Sequence, residues 1–554
     1  MSPGPSSPFF SIFPTSYGGR GVIASQNIPK NTLIFSCEAP YASVICRKFR
    51  KEVCAWCFSW SWEIGRKGSW ALTIPLESQH LVSSVKPASG AFQSGYRFCG
   101  ESCRNYWLAD GEDTMDPGHV RSHAGIRGLI NSSSERCITA MAKRRTKSRN
   151  SSSLHEIEFR WVVFLQDLEG LDPNRISSTF VEDTWERAEQ LASFLWASTP
   201  FAKEQPLSNK TKPPKVGHIS PIMLSELELD TASFILSCLV RKCIEESSRT
   251  ASRVYEGQPH YSAGTWSDVL DLQDNSLPQI RMEPYMLASH IRIWAFMKFV
   301  VYSALRDAKC LSDRTKDLVQ SLKKSVDTPK DTQAILGRES SNVFGLWDSA
   351  PEGEDHEMLG WGLYPLGSYF NHGMSTRICF DSWEICYCLD CSPAVHKKMN
   401  GPVTEFYTLR DVHAGEELCI SYIEENDEAQ KRRKALKHWF FECACKKCTV
   451  ELQVWSLSCP CNISSGMNDL HFCFPRLMSL SNLCEFVQQI GLPSQYASNL
   501  GALWPLLSPN IHMSVVDGFQ AYLLPRHNLG DVQFSWRRRG LTRIPAPCPE
   551  TDWW

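Results

Sequence analysis

Two islands of closely spaced cysteines set the tightest limit on what this chain can fold into. Cys54-Ala-Trp-Cys57 is answered later by Cys99-Gly-Glu-Ser-Cys103, and a second island reads Cys443-Ala-Cys445-Lys-Lys-Cys448. A tetrahedral Zn²⁺ needs four ligands at one point, and short loops between paired cysteines deliver them two at a time. The alternative is a set of buried cysteines without metal. The chain has 23 cysteines and opens Met-Ser-Pro-Gly-Pro, without a charged-then-apolar leader. That pattern implies a reducing, intracellular setting, nucleus or cytoplasm, where clustered cysteines hold metal more often than they form disulfides.

The bounds are those of an ordinary soluble chain. At 554 residues, with 42% hydrophobic and 21% charged residues, there is ample material for a core and for two to four domains. A net charge of -2 gives no global attraction to nucleic acid or membrane. The most apolar run, Pro284 to Ala308, is interrupted by His290, Arg292 and Lys298 and reads as a buried helix, not a membrane span. The basic run Lys143-Arg144-Arg145-Thr-Lys147-Ser-Arg149 reads as a solvated loop in preference to a nucleic-acid patch.

Organisation follows composition. Residues 1–16 read as a loose, disordered lead. Gly18-Gly19-Arg20-Gly21-Val22 to Leu33-Ile34-Phe35, with the turn Pro29-Lys30-Asn31, reads as a hairpin. The cysteine unit spans 54–107, followed by Asn105-Tyr106-Trp107 at its end. Residues 108–334 form a mostly helical insertion, with helical spacing at 156–168, 180–197, 230–247 and 284–325, and a Lys/Pro-rich linker at 203–220. The stretch 335–425 returns to strand-like text. Ser368-Tyr369-Phe370-Asn371-His372 reads as a strand ending in polar side chains; Gly415-Glu416-Glu417-Leu418-Cys419-Ile420-Ser421-Tyr422 reads as a turn, then a strand. A basic helix from Asn426 to Trp439 leads into the second cysteine island, ending the segment 426–450. Residues 451–554 form a divergent tail without lysine.

In this order the segments resemble SET-domain protein lysine methyltransferases of the SET-and-MYND-like kind. The resemblance rests on the Gly-Arg-Gly opening, the paired cysteines of a reduced MYND-type finger, Asn342-x-Phe344, Tyr364-Pro365, Ser368-x-x-Asn371-His372, the Glu-Glu-Leu-x-x-Ser-Tyr stretch, and the post-SET Cys-x-Cys-x-x-Cys. It implies an α+β fold: a split SET sheet of short strands with a pseudoknot, an inserted zinc finger and helical additions. It implies S-adenosylmethionine (S-adenosyl-L-methionine) and Zn²⁺ as cofactors. Gly19, Arg20, Gly21, Asn342, Ser368, Asn371, His372 and Phe441 are the implied cofactor residues, with Phe441 stacking on adenine. Tyr422 is the implied catalytic residue. Cys54, Cys57, Cys99 and Cys103 are the ligands of the finger.

The pattern breaks after His372. The family continues Asn-His-x-Cys, but Met374 stands where the cysteine belongs, and a thioether is a poor Zn²⁺ ligand. Asp390-Cys391-Ser392-Pro393 supplies the expected continuation. Residues 373–389 therefore read as an insertion or a retained intron, and Cys391 as the displaced ligand that joins Cys443, Cys445 and Cys448. Closing such a loop costs only about 1–3 kcal/mol. The function expected is methylation of a lysine on a histone or other protein. The alternative is a SET and zinc-finger scaffold with impaired catalysis that binds other proteins.

Overall fold

In the structure, a computed structural model, the residues described are 4–15, 19–63, 65, 68–73, 95–108, 117–147, 156–197, 223–251, 263–307, 312–348, 356–373, 393–423, 427–443 and 448. Two units divide the chain, Met1–Thr449 and Val450–Trp554. All described residues belong to the first. The proposed insertion beyond residue 373, Cys391, Cys445 and the tail lie outside the described residues.

The strands are β1 (Phe10–Pro14), β2 (Arg20–Ala24), β3 (Leu33–Cys37), β4 (Ala42–Ile45), β5 (Val343–Trp347), β6 (Met358–Leu363), β7 (Val395–Asn400) and β8 (Val403–Thr408). They form three small antiparallel sheets, ordered β1-β2, β3-β8-β7 and β4-β6-β5. Two of these sheets join strands from both ends of the described chain. These sheets are thus split in sequence and continuous in space.

Between the halves run α1 (Glu101–Leu108), α2 (Pro117–Lys147), α3 (Glu156–Glu169), α4 (Ser178–Ala197), α5 (Glu226–Ala251), α6 (Trp266–Leu270), α7 (Ser276–Met282), α8 (Tyr285–Asp307), α9 (Asp313–Asp327) and α10 (Lys330–Asn342); α11 (Ala429–Leu436) follows β8. The axis of this helical body is α8. Leu287, Ile291, Trp294, Phe296, Met297 and Val300 are all buried. A helix apolar all round must be covered all round, and α8 packs against α2, α3, α5 and α9. Among the described residues no helix is long and apolar enough to cross a membrane.

Four local expectations are corrected. The lead is not loose throughout: β1 pairs with β2 in the register Phe10↔Ala24. Phe10 is buried edge-on against Phe35 and Phe370, with centroids 5.8 and 5.9 Å away. Those aromatic contacts outweigh the Pro-Gly-Pro composition just upstream. The expected β2–β3 hairpin does not form. At Asn31 the amide bonds to the Thr408 carbonyl at 2.8 Å, so the turn delivers β3 to β8 instead. The segment before Asn371 is a 3₁₀ turn, Gly367–Tyr369, not a strand. Ser368 Oγ donates back to the Tyr364 carbonyl at 3.0 Å, a local bond that favours the turn. The basic run is helical as far as Lys147, as the end of α2.

Candidate functional site

The site is built where residues 371–373 pair with residues 416–420. Residues 416–420 lie against β2, with Leu418 N donating to Val22 O at 2.8 Å. Their other side meets residues 371–373: Ile420 N donates to Asn371 O at 2.9 Å, Gly373 N to Ile420 O at 2.8 Å, and His372 pairs in parallel with Ile420. Val395 N donates to Cys419 O at 3.0 Å. The chain therefore leaves at Gly373 and is back by Val395 against neighbouring residues of the same segment. Whatever lies between, the two ends are held in one place.

A cleft of about 620 Å³ opens beside this crossing. Its lining brings together Gly19, Arg20, Asn342, Ser368, Asn371, His372, Tyr422 and Phe441, residues far apart in sequence. Gly21 does not line it. Gly19 has φ +72°, a left-handed conformation that glycine adopts without strain.

Each polar side chain is held. Asn371 Nδ2 donates to Arg20 O at 3.0 Å and to Glu417 Oε1 at 2.9 Å. Ser368 Oγ also reaches Asn342 O at 3.0 Å. Asn342 Nδ2 donates to Arg338 O at 2.8 Å and Gln273 O at 3.2 Å. His372 is 4% exposed; its Nδ1 accepts from Tyr422 N at 3.2 Å, and its buried Nε2 has no partner among the described residues. Burial pulls this imidazole down to about 4, with nearby Cys448 opposing and Arg432 adding to the shift. The ring is therefore neutral, with its proton on Nε2.

Tyr422 stands among His372, Trp439 and Phe441, with ring centroids 5.5, 5.6 and 6.4 Å away. Its hydroxyl donates to Phe370 O at 2.9 Å, which leaves the oxygen able to accept. Burial, with Cys419 and Glu417 adding to it, holds the phenol well above its usual range, so it stays protonated.

Sequence reading missed one wall. The segment between α6 and α7 contributes Asp271, Leu272, Gln273 and Asn275 to the lining. Arg20 ties it down: Nη2 donates to Asp271 O at 2.5 Å, while the guanidinium lies 4.7 Å over the Tyr369 ring. A polar run between two short helices was the available signal. Trp439 and Phe440 also line the cleft unforeseen, Phe440 in a left-handed conformation at φ +63°.

The first cysteine island meets at one point. The sulfurs of Cys54, Cys57, Cys99 and Cys103 lie within 4.8 Å of one another. Cys57–Cys99 and Cys99–Cys103 are 3.5 and 3.4 Å apart. A tetrahedron with Zn–S bonds of 2.3 Å has edges of about 3.8 Å, so the donor set and its dimensions fit zinc. A hydrogen bond from Cys57 holds the Cys54 thiol below its usual range. Phe98, Trp70 and Leu108 are buried beneath the cluster. In the second island, Cys443 and Cys448 are buried beside Leu436, and Cys448 Sγ accepts from Arg432 Nη2 at 3.4 Å. Tyr422 and Phe441 pack on this small cluster, which couples it to the cleft.

Small sheets built from both ends of the described chain, a four-cysteine cluster spliced between them and a cleft beside the His372–Ile420 pairing are consistent with an α+β SET fold that carries an inserted finger. Its relatives agree. The chain is 25% identical over 456 residues to the potential protein lysine methyltransferase SET6 of Saccharomyces cerevisiae, covering 81% of this chain and 96% of that protein. It is 29% identical to the histone-lysine N-methyltransferase ASHR2 of Arabidopsis thaliana over 23% of this chain and 30% of that one. It is 27% identical to a SET and MYND domain-containing protein of Dictyostelium discoideum over 33% of this chain and 42% of that one. No family model matches the chain. Its homologues thus include proteins named as lysine methyltransferases and as SET and MYND domain proteins.

Proposed function

We propose that this chain transfers a methyl group from S-adenosylmethionine to a lysine side chain of a protein, histone or other, in the nucleus or cytoplasm. The observation that carries the reading is the convergence of Arg20, Asn342, Asn371, His372, Tyr422 and Phe441 on one cleft. The lysine-methyltransferase names of the relatives support it.

When bound, the cofactor supplies a methyl group on a sulfonium, an electrophile that needs alignment more than acid–base power. Asn342, Ser368, Asn371 and His372 hold it, His372 through its Nε2–H. Phe441 covers the adenine. The aromatic group Tyr422, Trp439 and Phe441 receives the lysine and disfavours its charged form by excluding water, so the amine arrives neutral. Tyr422, its own proton spent on the Phe370 carbonyl, accepts from the amine and directs its lone pair toward the methyl carbon. Cys54, Cys57, Cys99 and Cys103 hold one Zn²⁺, and Cys443, Cys445 and Cys448, with Cys391, hold a second that anchors the wall carrying Phe441.

The test is transfer of labelled methyl from S-adenosylmethionine to core histones and to a panel of lysine-bearing proteins, wild type against Tyr422→Phe. Lysine labelling that falls in the variant supports the reading. Labelling of equal strength in both removes Tyr422 from it.

A further inference from the structure

Consecutive residues of an extended segment face opposite ways, and Glu416 and Glu417 do different work for that reason. Glu416 pairs with Arg410 and accepts from the His413 amide at 3.2 Å, holding its own turn. Glu417 faces the crossing, where its Oε1 accepts from Asn371 Nδ2 at 2.9 Å while the same nitrogen donates to Arg20 O at 3.0 Å. An amide nitrogen has two hydrogens, and both are used. Flipping the amide would set its oxygen against a carboxylate and a carbonyl.

Gly21 makes room for this arrangement. A Cβ there would collide with Glu417 Oε1 and lie 2.8 Å from Thr15 Cγ2 and 3.0 Å from Asn371 Nδ2. The backbone of Gly21 lies outside the left-handed region, so the demand is for space alone. Gly21 misses the cleft lining and yet belongs to the site.

We infer that Glu417 is a positioning residue that locks the Asn371 amide with its carbonyl oxygen as the atom offered to the α-ammonium of the cofactor. This rests on the cofactor reading above. A flipped amide would turn hydrogens toward that cation, and the locked one turns an acceptor. The effect is confined to the amino-acid end of the ligand.

The test is calorimetric titration of the full zinc-loaded chain with S-adenosylhomocysteine and with 5′-methylthioadenosine, which lacks the amino-acid end. Glu417→Ala is expected to weaken S-adenosylhomocysteine by about tenfold or more and to leave methylthioadenosine within about twofold. Glu417→Gln, which keeps an acceptor, restores most of the loss. Gly21→Ala, a second variant that crowds the same pair, shows the same selectivity. Equal weakening of both ligands, or of neither, overturns the inference. A wild-type chain that binds neither ligand overturns the cofactor reading itself, which is a different result.

Discussion

The amide of Tyr422 donates to Nδ1 of His372 across 3.2 Å, fifty residues away in sequence. That bond fixes the tautomer of a buried ring and ties together the two segments that pair at His372 and Ile420. It also leaves a donor, Nε2–H, buried without a partner among the described residues. His372→Phe keeps the ring packing against Tyr422 and Phe441 but removes both nitrogens. The Tyr422 amide then loses its acceptor, at a cost of about 1–3 kcal/mol. Thermal denaturation is expected to show that loss, and cofactor affinity is expected to fall with it. Unchanged affinity would show that Nε2–H meets no ligand.

Tyr422→Phe removes the bond to Phe370 O and the acceptor oxygen together. Stability is expected to fall by only about 1 kcal/mol, while the methyl-transfer rate falls by about a hundredfold or more. Cofactor affinity and zinc content stay as in wild type. A matched fall in affinity and rate would place the hydroxyl in binding instead.

Arg20 joins β2 to the wall at Asp271 through a carbonyl bond, while its guanidinium lies over the Tyr369 ring. Lysine carries the charge but neither the fork nor the planar face. Arg20→Lys is therefore expected to raise KM for the cofactor by about tenfold with kcat nearly unchanged. Steady-state kinetics against cofactor concentration decides this.

The zinc proposed for the first cysteine cluster has its own test. Cys99 is the sulfur that touches both Cys57 and Cys103. Cys99→Ser is expected to lower bound zinc by about one per chain and open 54–107 to proteolysis, because structural zinc supplies folding energy directly. Metal analysis and limited proteolysis read both effects, and full zinc content in the variant would contradict the assignment.

Acid sensitivity has an identifiable source in α8. His290 is 3% exposed, and burial lowers it from 6.5 to about 4 against the opposing effect of Glu228. Between those values the unfolded chain binds a proton that the folded chain refuses. Stability therefore falls as pH drops through that window, by about 3 kcal/mol in all, and is indifferent to this group above it. Denaturation midpoints between pH 7 and 4 are expected to fall less steeply in His290→Gln.

The convergence of the first cysteine island was legible because short loops deliver ligands whatever the surroundings. The α8 helix was legible because its apolar run exceeds what any surface helix carries. Asn371, His372 and Tyr422 were legible as motif residues, and the cleft does gather them. The pairing of β1 with β2 was not legible, since Phe10 earns its place only by packing on Phe35 and Phe370 from distant segments. The wall at 271–275 was hidden for the same reason. It reaches the cleft through bonds to Arg20 and Asn342, and no local pattern encodes those.

Everything proposed for this chain requires that the cleft beside the His372–Ile420 pairing take S-adenosylmethionine. Calorimetric titration of the full zinc-loaded chain with S-adenosylmethionine tests it most directly. One site per chain is expected, abolished by Asn371→Ala with zinc content retained and the chain still folded. An absence of binding by the intact, zinc-loaded chain would contradict it.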